Sequence, residues 1–417
     1  MKLTPYEQSL LEGAEGRGVQ KAMEIVVALG RIYGAEDLVE ISSAQVAGVS
    51  YKNLGEAGLE FLSDWAAQGA RVRVPTTLNP AGLDLHNWRQ LGFDAAFAAK
   101  QQRVLEAFAA MGIPPSCTCT PYLVGNVPAR GEHVAWAESS AVSFANSVLG
   151  ARTNREGGPS ALAAAIVGRT ARYGLHLDVN RRAQLVVEVR CPVRSLSDFG
   201  VLGILVGQQA RHRVPYLRGL DTTRLLNWPA GLDLLKTLGA AMAASGAVAL
   251  YHVEGVTPES DEPDIIAPGA ERITVTDLRA GYQALERGEQ FALDLVWFGC
   301  PHASLAELEE IVRLLNGRRC KVPLWVTMAR ALRDEAARNG LLQRFEALGG
   351  HVVADTCLVV APMQGLGFRC MATPCAKGAY YAPTHSGMAV HFSSPEACVE
   401  AAVTGRWIAE ADEKVER

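Results

Sequence analysis

A chain of 417 residues that is 49% hydrophobic and 20% charged has enough apolar mass for a large core, and its length points to two or three lobes. Forty basic residues against 44 acidic ones leave a formal net charge of -4, so no bulk field favours nucleic acid or an anionic membrane. Glu7 and Glu12 stand where an export signal would be apolar, and the weakly polar run 238–251 is too short to span a bilayer; a cytoplasmic protein without a membrane partner is expected.

In chain order, Thr4-Pro5-Tyr6-Glu7 predicts a capped helix start, with Pro5 at the first helical position and Glu7 three residues after the cap. A second helix over 18–33 places Ala22, Met23, Val26, Val27 and Leu29 on one face. Leu38 to Ile41 predicts a strand followed by a polar loop over 42–51. A helix over 58–67 and a strand over 71–74 come next, the strand ending in Pro75-Thr76-Thr77-Leu78-Asn79-Pro80. Strand, helix, strand with polar loops after each strand is the grammar of a parallel α/β sheet, in which ligands gather at the strands' carboxyl ends. Gly48 to Ser50 and Thr77 to Pro80 are therefore expected near one another.

Lys100 to Met111 reads as an amphipathic helix closed by Gly112 and Pro114-Pro115, and a loop carrying Cys117 and Cys119 follows. Residues 131–176 combine core anchors (Trp136, Phe144, Val148, Leu149) with dense hydrogen-bonding groups, among them Glu138, Ser139, Ser140, Asn146, Arg152 and Asn154. Buried polar groups need partners, so this stretch is either a site wall or a polar helix start with a surface loop. A helix capped near Asn154 or Gly157 runs through 160–167, a strand occupies 184–189, and a tightly packed helix covers 199–207. From about Ala247 a second α/β unit is expected: a strand at 248–253, a polar excursion at 259–272, a helix at 276–287 and a strand at 291–298 that stops at Gly299-Cys300-Pro301-His302. Ser304 and Glu307 form a capping box, and then come a strand (323–327), a helix (329–347) and a strand (351–355) ending at Thr356-Cys357.

The nine cysteines (Cys117, Cys119, Cys191, Cys300, Cys320, Cys357, Cys370, Cys375, Cys398) are odd in number and carry no secretory signal, so reduced thiols are expected. Most should be small buried hydrophobes. Cys300 and Cys357 each end an apolar strand, and a helix N-terminus just beyond Cys300 would lower its thiol pKa. With Cys119 they form a trio at strand ends that could converge. Soft thiolates select iron–sulfur clusters, zinc or copper, and three ligands leave a position open for substrate. The competing reading is that any three of nine cysteines can be so chosen. Cys370 and Cys375 with Cys357 and His385 form a looser zinc alternative. His176 and His302 read more simply as satisfied, partly buried histidines. There is no G-x-S-x-G elbow, and GLDLLKT at 231–237 lacks the second glycine of a phosphate loop.

These motifs, taken together, resemble the large subunit of the aconitase X family. The resemblance is carried by Ala47-Gly48-Val49-Ser50-Tyr51, Thr76-Thr77-Leu78-Asn79-Pro80, Cys119-Thr120-Pro121-Tyr122-Leu123 and AWAESSAVSFANSVLGARTNREGGPSA. It continues through Gly299-Cys300-Pro301-His302 with Ser304, Asp355-Thr356-Cys357, and Lys377 with Tyr381. It implies aconitase-like three-layer α/β/α lobes around a cleft. The expected division is 1–245, with the central polar motif and first cysteine, and 246–417, with the other two. It implies an iron–sulfur cluster, [4Fe-4S] with one iron not held by protein, on Cys119, Cys300 and Cys357. It implies a hydro-lyase (dehydratase) that removes water from a β-hydroxy carboxylate, best matched to (R)-5-phosphomevalonate giving trans-anhydromevalonate 5-phosphate. Cis-3-hydroxy-L-proline is the alternative substrate, and a non-catalytic iron–sulfur regulatory protein is the alternative of another class. Gly48, Val49, Ser50, Asn79, Pro80, Glu138, Ser139 and Lys377 would contact substrate, with Glu138 and Ser139 also catalytic. Arg152 and Arg155 are expected instead to pair with Glu138 or Glu156. The base is expected on a separate small swivelling subunit, because nothing after Lys377 is long enough to be that unit. The chain departs from the family pattern at Gln45, where a histidine is expected, and at Pro374-Cys375, where Asn-Ser is expected.

Overall fold

A computed structural model describes residues 1–287 and 292–408, so Phe291 and the charged end at 409–417 lie outside the described residues. The first helix, Pro5–Leu11, carries the predicted box: Thr4 Oγ1 accepts from Glu7 N–H and the Glu7 carboxylate accepts from Thr4 N–H. The helix Arg17–Ile32 buries Ala22, Met23, Val26 and Val27. Five short strands follow: β1 (Leu38–Glu40), β2 (Ala44–Val46), β3 (Thr76–Leu78), β4 (Ala135–Trp136) and β5 (Arg169–Ala171). They make a parallel sheet of order β3-β2-β4 and an antiparallel β1–β5 pair. The expected loop at 42–51 thus contains a strand. The expected strand at 71–74 is absent because Val72 and Arg73 donate their N–H groups to Met111 and Ala165 carbonyls; pairing starts only past Pro75, whose carbonyl accepts from Ala44 N–H.

The second group is a parallel sheet of order β8-β7-β6-β9, from β6 (Ala183–Val189), β7 (Pro215–Arg218), β8 (His252–Val253) and β9 (Ile266–Val275). The polar excursion expected at 259–272 is partly this edge strand. Its register jumps between Ile266 and Glu271, so Pro268-Gly269 bulges out and the pairing resumes beyond them. The helices Leu196–Ala210 and Ala230–Gly246 pack so closely that a methyl on Gly203 would meet Ala241 Cβ at 2.6 Å. GLDLLKT is interior to the second of these helices rather than a loop. Residue 245 falls at that helix's end, and β8 and β9 beyond it complete the sheet of β6 and β7.

The third group is a five-stranded parallel sheet of order β12-β11-β10-β13-β14, from β10 (Leu295–Phe298), β11 (Leu324–Met328), β12 (Gly350–Ala354), β13 (Cys370–Thr373) and β14 (Ala389–Phe392). Every residue of β10, β11 and β13 is buried. The helix predicted over 329–347 is two helices, Arg330–Arg338 and Leu341–Ala347, because Gly340 takes a left-handed φ of 80° between them. The first and third sheets are tied directly: Ala81 N–H donates to the Asp355 carbonyl at 2.8 Å, beside an Ala81–Thr356 bridge. Among the described residues, no helix is long and apolar enough to cross a membrane.

Candidate active site

Both of these parallel sheets place their chemistry at strand carboxyl ends. After β2 come Gly48, Val49 and Ser50; after β3, Asn79 and Pro80; after β4, Glu138 and Ser139. In the third sheet, β10 leads to Cys300, β12 to Cys357 and β13 to Lys377. Chain order reverses between β10 and β13, and ligands of open parallel sheets bind outside the strand ends at such a switch point. A cavity of about 140 Å³ lies there, lined by Asn79, Pro80, Cys119, Glu138, Ser139, Gly299, Cys300, Cys357, Val359, Val360, Lys377 and Tyr381. A larger cavity of about 370 Å³ reaches the other side of Gly299, where its walls are mainly apolar.

The three cysteines share the smaller cavity although they come from distant parts of the chain, and all three are buried. Burial pushes the Cys119 thiol up to about 12, with the Glu138 carboxylate adding to the shift and Lys377 opposing it. It raises Cys300 and Cys357 as well, against the pull of Lys377. The expected lowering at Cys300 by a helix N-terminus is overturned: the helix starts only at Leu305, and desolvation outweighs it. A cation taken up here must displace thiol protons. Among the described residues, no three His, Cys, Asp or Glu side chains converge on a point suited to one metal ion. Three thiols spread around one cavity instead fit a multi-iron group, in which separate irons each take one sulfur. The looser zinc set does not assemble: Cys370 and Cys375 stand at opposite ends of β13, and neither lines the cavity.

Glu138 and Lys377 close the wall between the sheets. Glu138 caps the buried helix Ser139–Ser147 by accepting from Ala141 N–H at 2.7 Å, and also accepts from Ser140 Oγ at 2.5 Å and Ser139 Oγ at 3.3 Å. Lys377 Nζ donates to Glu138 Oε1 at 2.5 Å and to Ser140 Oγ at 3.2 Å. Burial alone would raise the Glu138 pKa, but the ammonium beside it and these hydrogen bonds hold it below the ordinary value. Burial likewise opposes the charge on Lys377, and Glu138 with the neighbouring thiols raises its pKa regardless. The pair is a carboxylate and an ammonium, both buried, at the wall of the cavity.

Gln45, fully buried, accepts from Glu138 N–H at 3.0 Å and donates to the Thr118 carbonyl at 3.3 Å, so it joins the Glu138 turn to the Cys119 loop. Gly48, Val49 and Ser50 reach the same end of the sheet but do not line the cavity; Ser50 Oγ donates to the Val360 carbonyl at 2.8 Å, and the Val49 carbonyl accepts from Gln101. Asn79 lines the cavity, and its Oδ1 is buried without a hydrogen-bond partner. Arg152 does not pair with Glu138 or Glu156: it pairs with Asp178, while Glu156 is held by Ser160 and Thr170. His302 is fully buried, and burial draws its pKa down to about 4. Val359 and Val360 had no signal in the sequence, since apolar residues after a cysteine read as core.

The comparisons with known proteins agree with this architecture. Family models described as the aconitase X first, second and third domains match residues 1–179, 183–283 and 293–404. The chain is 52% identical over 387 residues to a phosphomevalonate dehydratase large subunit from Methanothermobacter thermautotrophicus, covering 92% of this chain and 94% of that one. It is 37% identical to a cis-3-hydroxy-L-proline dehydratase from Pseudomonas aeruginosa, covering 97% of this chain and 70% of the relative. It superposes on the crystal structure of Thermococcus kodakaraensis aconitase X in its holo-form with a TM-score of 0.89, at 48% identity, over 96% of this chain and 100% of that one. The chain therefore belongs to the aconitase X family and is a hydro-lyase of its dehydratase type.

Proposed function

We propose that this chain is the large subunit of an iron–sulfur dehydratase that removes water from 5-phosphomevalonate to give trans-anhydromevalonate 5-phosphate. The observation that carries the reading is one small cavity lined by three buried thiols and by a carboxylate–ammonium pair. Cys119, Cys300 and Cys357 would hold the cluster, [4Fe-4S] being the form that leaves one iron without a protein ligand. Bound there, it would supply a Lewis acid for the departing hydroxyl. Lys377 places a permanent positive charge at the wall, where it draws in the substrate's anionic end. Glu138, kept ionised by Lys377, is an acceptor for the substrate hydroxyl, and Ser139 beside it is a donor that can follow the proton. Asn79 and Pro80 shape the facing wall, and the free Asn79 Oδ1 offers a further acceptor. Gly48, Val49 and Ser50 form the next layer; Ser50 reaches substrate by releasing the Val360 carbonyl.

Removal of the proton α to the carboxylate is assigned to a base on a small subunit, in keeping with relatives named as large subunits. The choice of 5-phosphomevalonate rests on 52% identity to a phosphomevalonate dehydratase large subunit against 37% to a hydroxyproline dehydratase. The test is anaerobic turnover of each substrate by the chain with and without a small-subunit partner. Water loss from 5-phosphomevalonate by the pair alone is expected. Turnover of cis-3-hydroxy-L-proline instead would reassign the substrate. Full activity of the isolated chain would remove the partner from the account, and no water loss from either, with cluster intact, would point to a different hydroxy acid as substrate.

A further inference from the structure

His302 touches all three cysteine loops at once. It stands two residues beyond Cys300. Its Nδ1 lies 3.0 Å from Thr118 Oγ1, one residue before Cys119, and its Nε2 lies 2.9 Å from the carbonyl of Thr356, one residue before Cys357. Its backbone N–H points at Cys119 Sγ at 3.2 Å. Its carbonyl accepts from Lys236 Nζ at 3.3 Å, and that buried ammonium is itself held by Asp233 at 2.8 Å and by Glu307. Loops from the first and third sheets and a helix of the second thus meet on one residue.

The contacts fix the tautomer. A carbonyl only accepts, so Nε2 carries the proton and donates it to Thr356. A neutral ring protonated at Nε2 leaves Nδ1 a bare acceptor, and Thr118 Oγ1 receives the Thr120 N–H at 3.1 Å and lies 3.1 Å from the Thr120 hydroxyl. The Thr118 hydroxyl proton therefore goes to Nδ1, and each polar atom of the ring and of the Thr118 hydroxyl is matched. A buried neutral histidine needs one partner at each ring nitrogen. His302 finds both on the segments that carry the thiols, adds its amide to Cys119, and gives its carbonyl to Lys236.

We propose that His302 is a positioning residue for the thiolate-bound cofactor: by bridging Thr118 and Thr356, it sets the spacing of Cys119, Cys300 and Cys357 so that the cofactor is retained. This rests on the three-cysteine cavity being the cofactor site. Groups that orient metal ligands from behind commonly change metal affinity by roughly 10–100-fold when removed.

The test uses the full chain with His302→Ala, His302→Gln and Thr118→Val. Far-UV circular dichroism and thermal unfolding report the fold. Iron release to a chelator after anaerobic reconstitution reports retention. Alkylation of each cysteine in the iron-free chain, followed by mass spectrometry, reports loop order without any metal. His302→Ala is expected to keep the wild-type far-UV spectrum, to release iron at least about tenfold faster, and to alkylate faster at Cys119, Cys300 and Cys357 but not at Cys398. His302→Gln, which can still donate to Thr356, should fall between it and wild type. Thr118→Val removes only the Nδ1 contact and should show a smaller increase in both rates; it decides the matter if His302→Ala does not fold. Wild-type release and alkylation rates in the folded variant would overturn the proposal. If the wild-type chain holds no iron, the cofactor reading fails, and the alkylation arm alone decides the role of His302, equal rates overturning it.

Discussion

The two parallel sheets that face the cavity are held together in different ways. In the first, β2, β3 and β4 are only two or three residues long, and buried polar side chains do much of the joining: Gln45 links Glu138 to Thr118, Asn126 donates to the Ala44 carbonyl and Thr77 Oγ1, and Thr153 Oγ1 accepts from Trp136 N–H. In the third, strands of four or five residues, buried along β10, β11 and β13, form a regular ladder over apolar side chains. The lesson is that one wall of the cavity depends on a few named hydrogen bonds, while the other depends on packing.

The largest effect should come from the ion pair that crosses between them. Lys377→Met leaves Glu138 buried without its cation and should cost about 3–5 kcal/mol in urea unfolding, with part recovered in the Lys377→Met/Glu138→Gln double variant. A cost below about 1 kcal/mol would mean that the two walls are not coupled there. Within the walls, Leu324→Ala in β11 and Gln45→Leu in β2 should separate. The first should cost about 2–5 kcal/mol through a cavity while leaving cysteine alkylation unchanged. The second should cost about 2 kcal/mol by stranding the Glu138 N–H and Thr118 carbonyl, and should also expose Cys119 to alkylation. Equal alkylation in both would erase the distinction.

How much of this the sequence disclosed follows from the same contrast. Leu-Val-Trp-Phe before Cys300 and Leu-Trp-Val-Thr-Met in β11 announce themselves as continuous apolar runs, so the strands leading to Cys300 and Cys357 were legible, whereas β13, which leads to Lys377, was not among the expected strands. Strands of two or three residues such as Ala135–Trp136 carry no periodicity to read, and β9 is interrupted by Pro268 and Gly269. At the site, the strand-end logic pointed to Gly48–Ser50, Asn79, Cys300 and Cys357. Gln45 and His302 act through partners more than 50 residues away, which no local pattern reveals.

Smaller effects sharpen the comparison on the first-sheet side. Ser50→Ala removes the hydroxyl bond to the Val360 carbonyl and should cost about 1 kcal/mol; a rise in KM beyond what that loss explains would mark Ser50 as a substrate contact. His176, buried beside His133 behind β4, has its pKa drawn from 6.5 down to about 3, mainly by burial. Between those values the unfolded chain binds the extra proton, so stability should fall as pH drops from about 6.5 toward 3, by up to about 1.4 kcal/mol per unit from this one group. His176→Asn should flatten that part of the slope in unfolding curves at pH 7 and pH 5. An unchanged slope would place the acid sensitivity elsewhere.

The most direct measurement is the iron and sulfide content of the anaerobically reconstituted chain, with its visible spectrum recorded before and after adding 5-phosphomevalonate. The wild-type chain should load both elements and change its spectrum on adding the hydroxy acid. Cys119→Ser, Cys300→Ser and Cys357→Ser should each lose the cluster, while Cys398→Ser should behave as wild type. Wild-type loading in all three of the first variants would contradict the account.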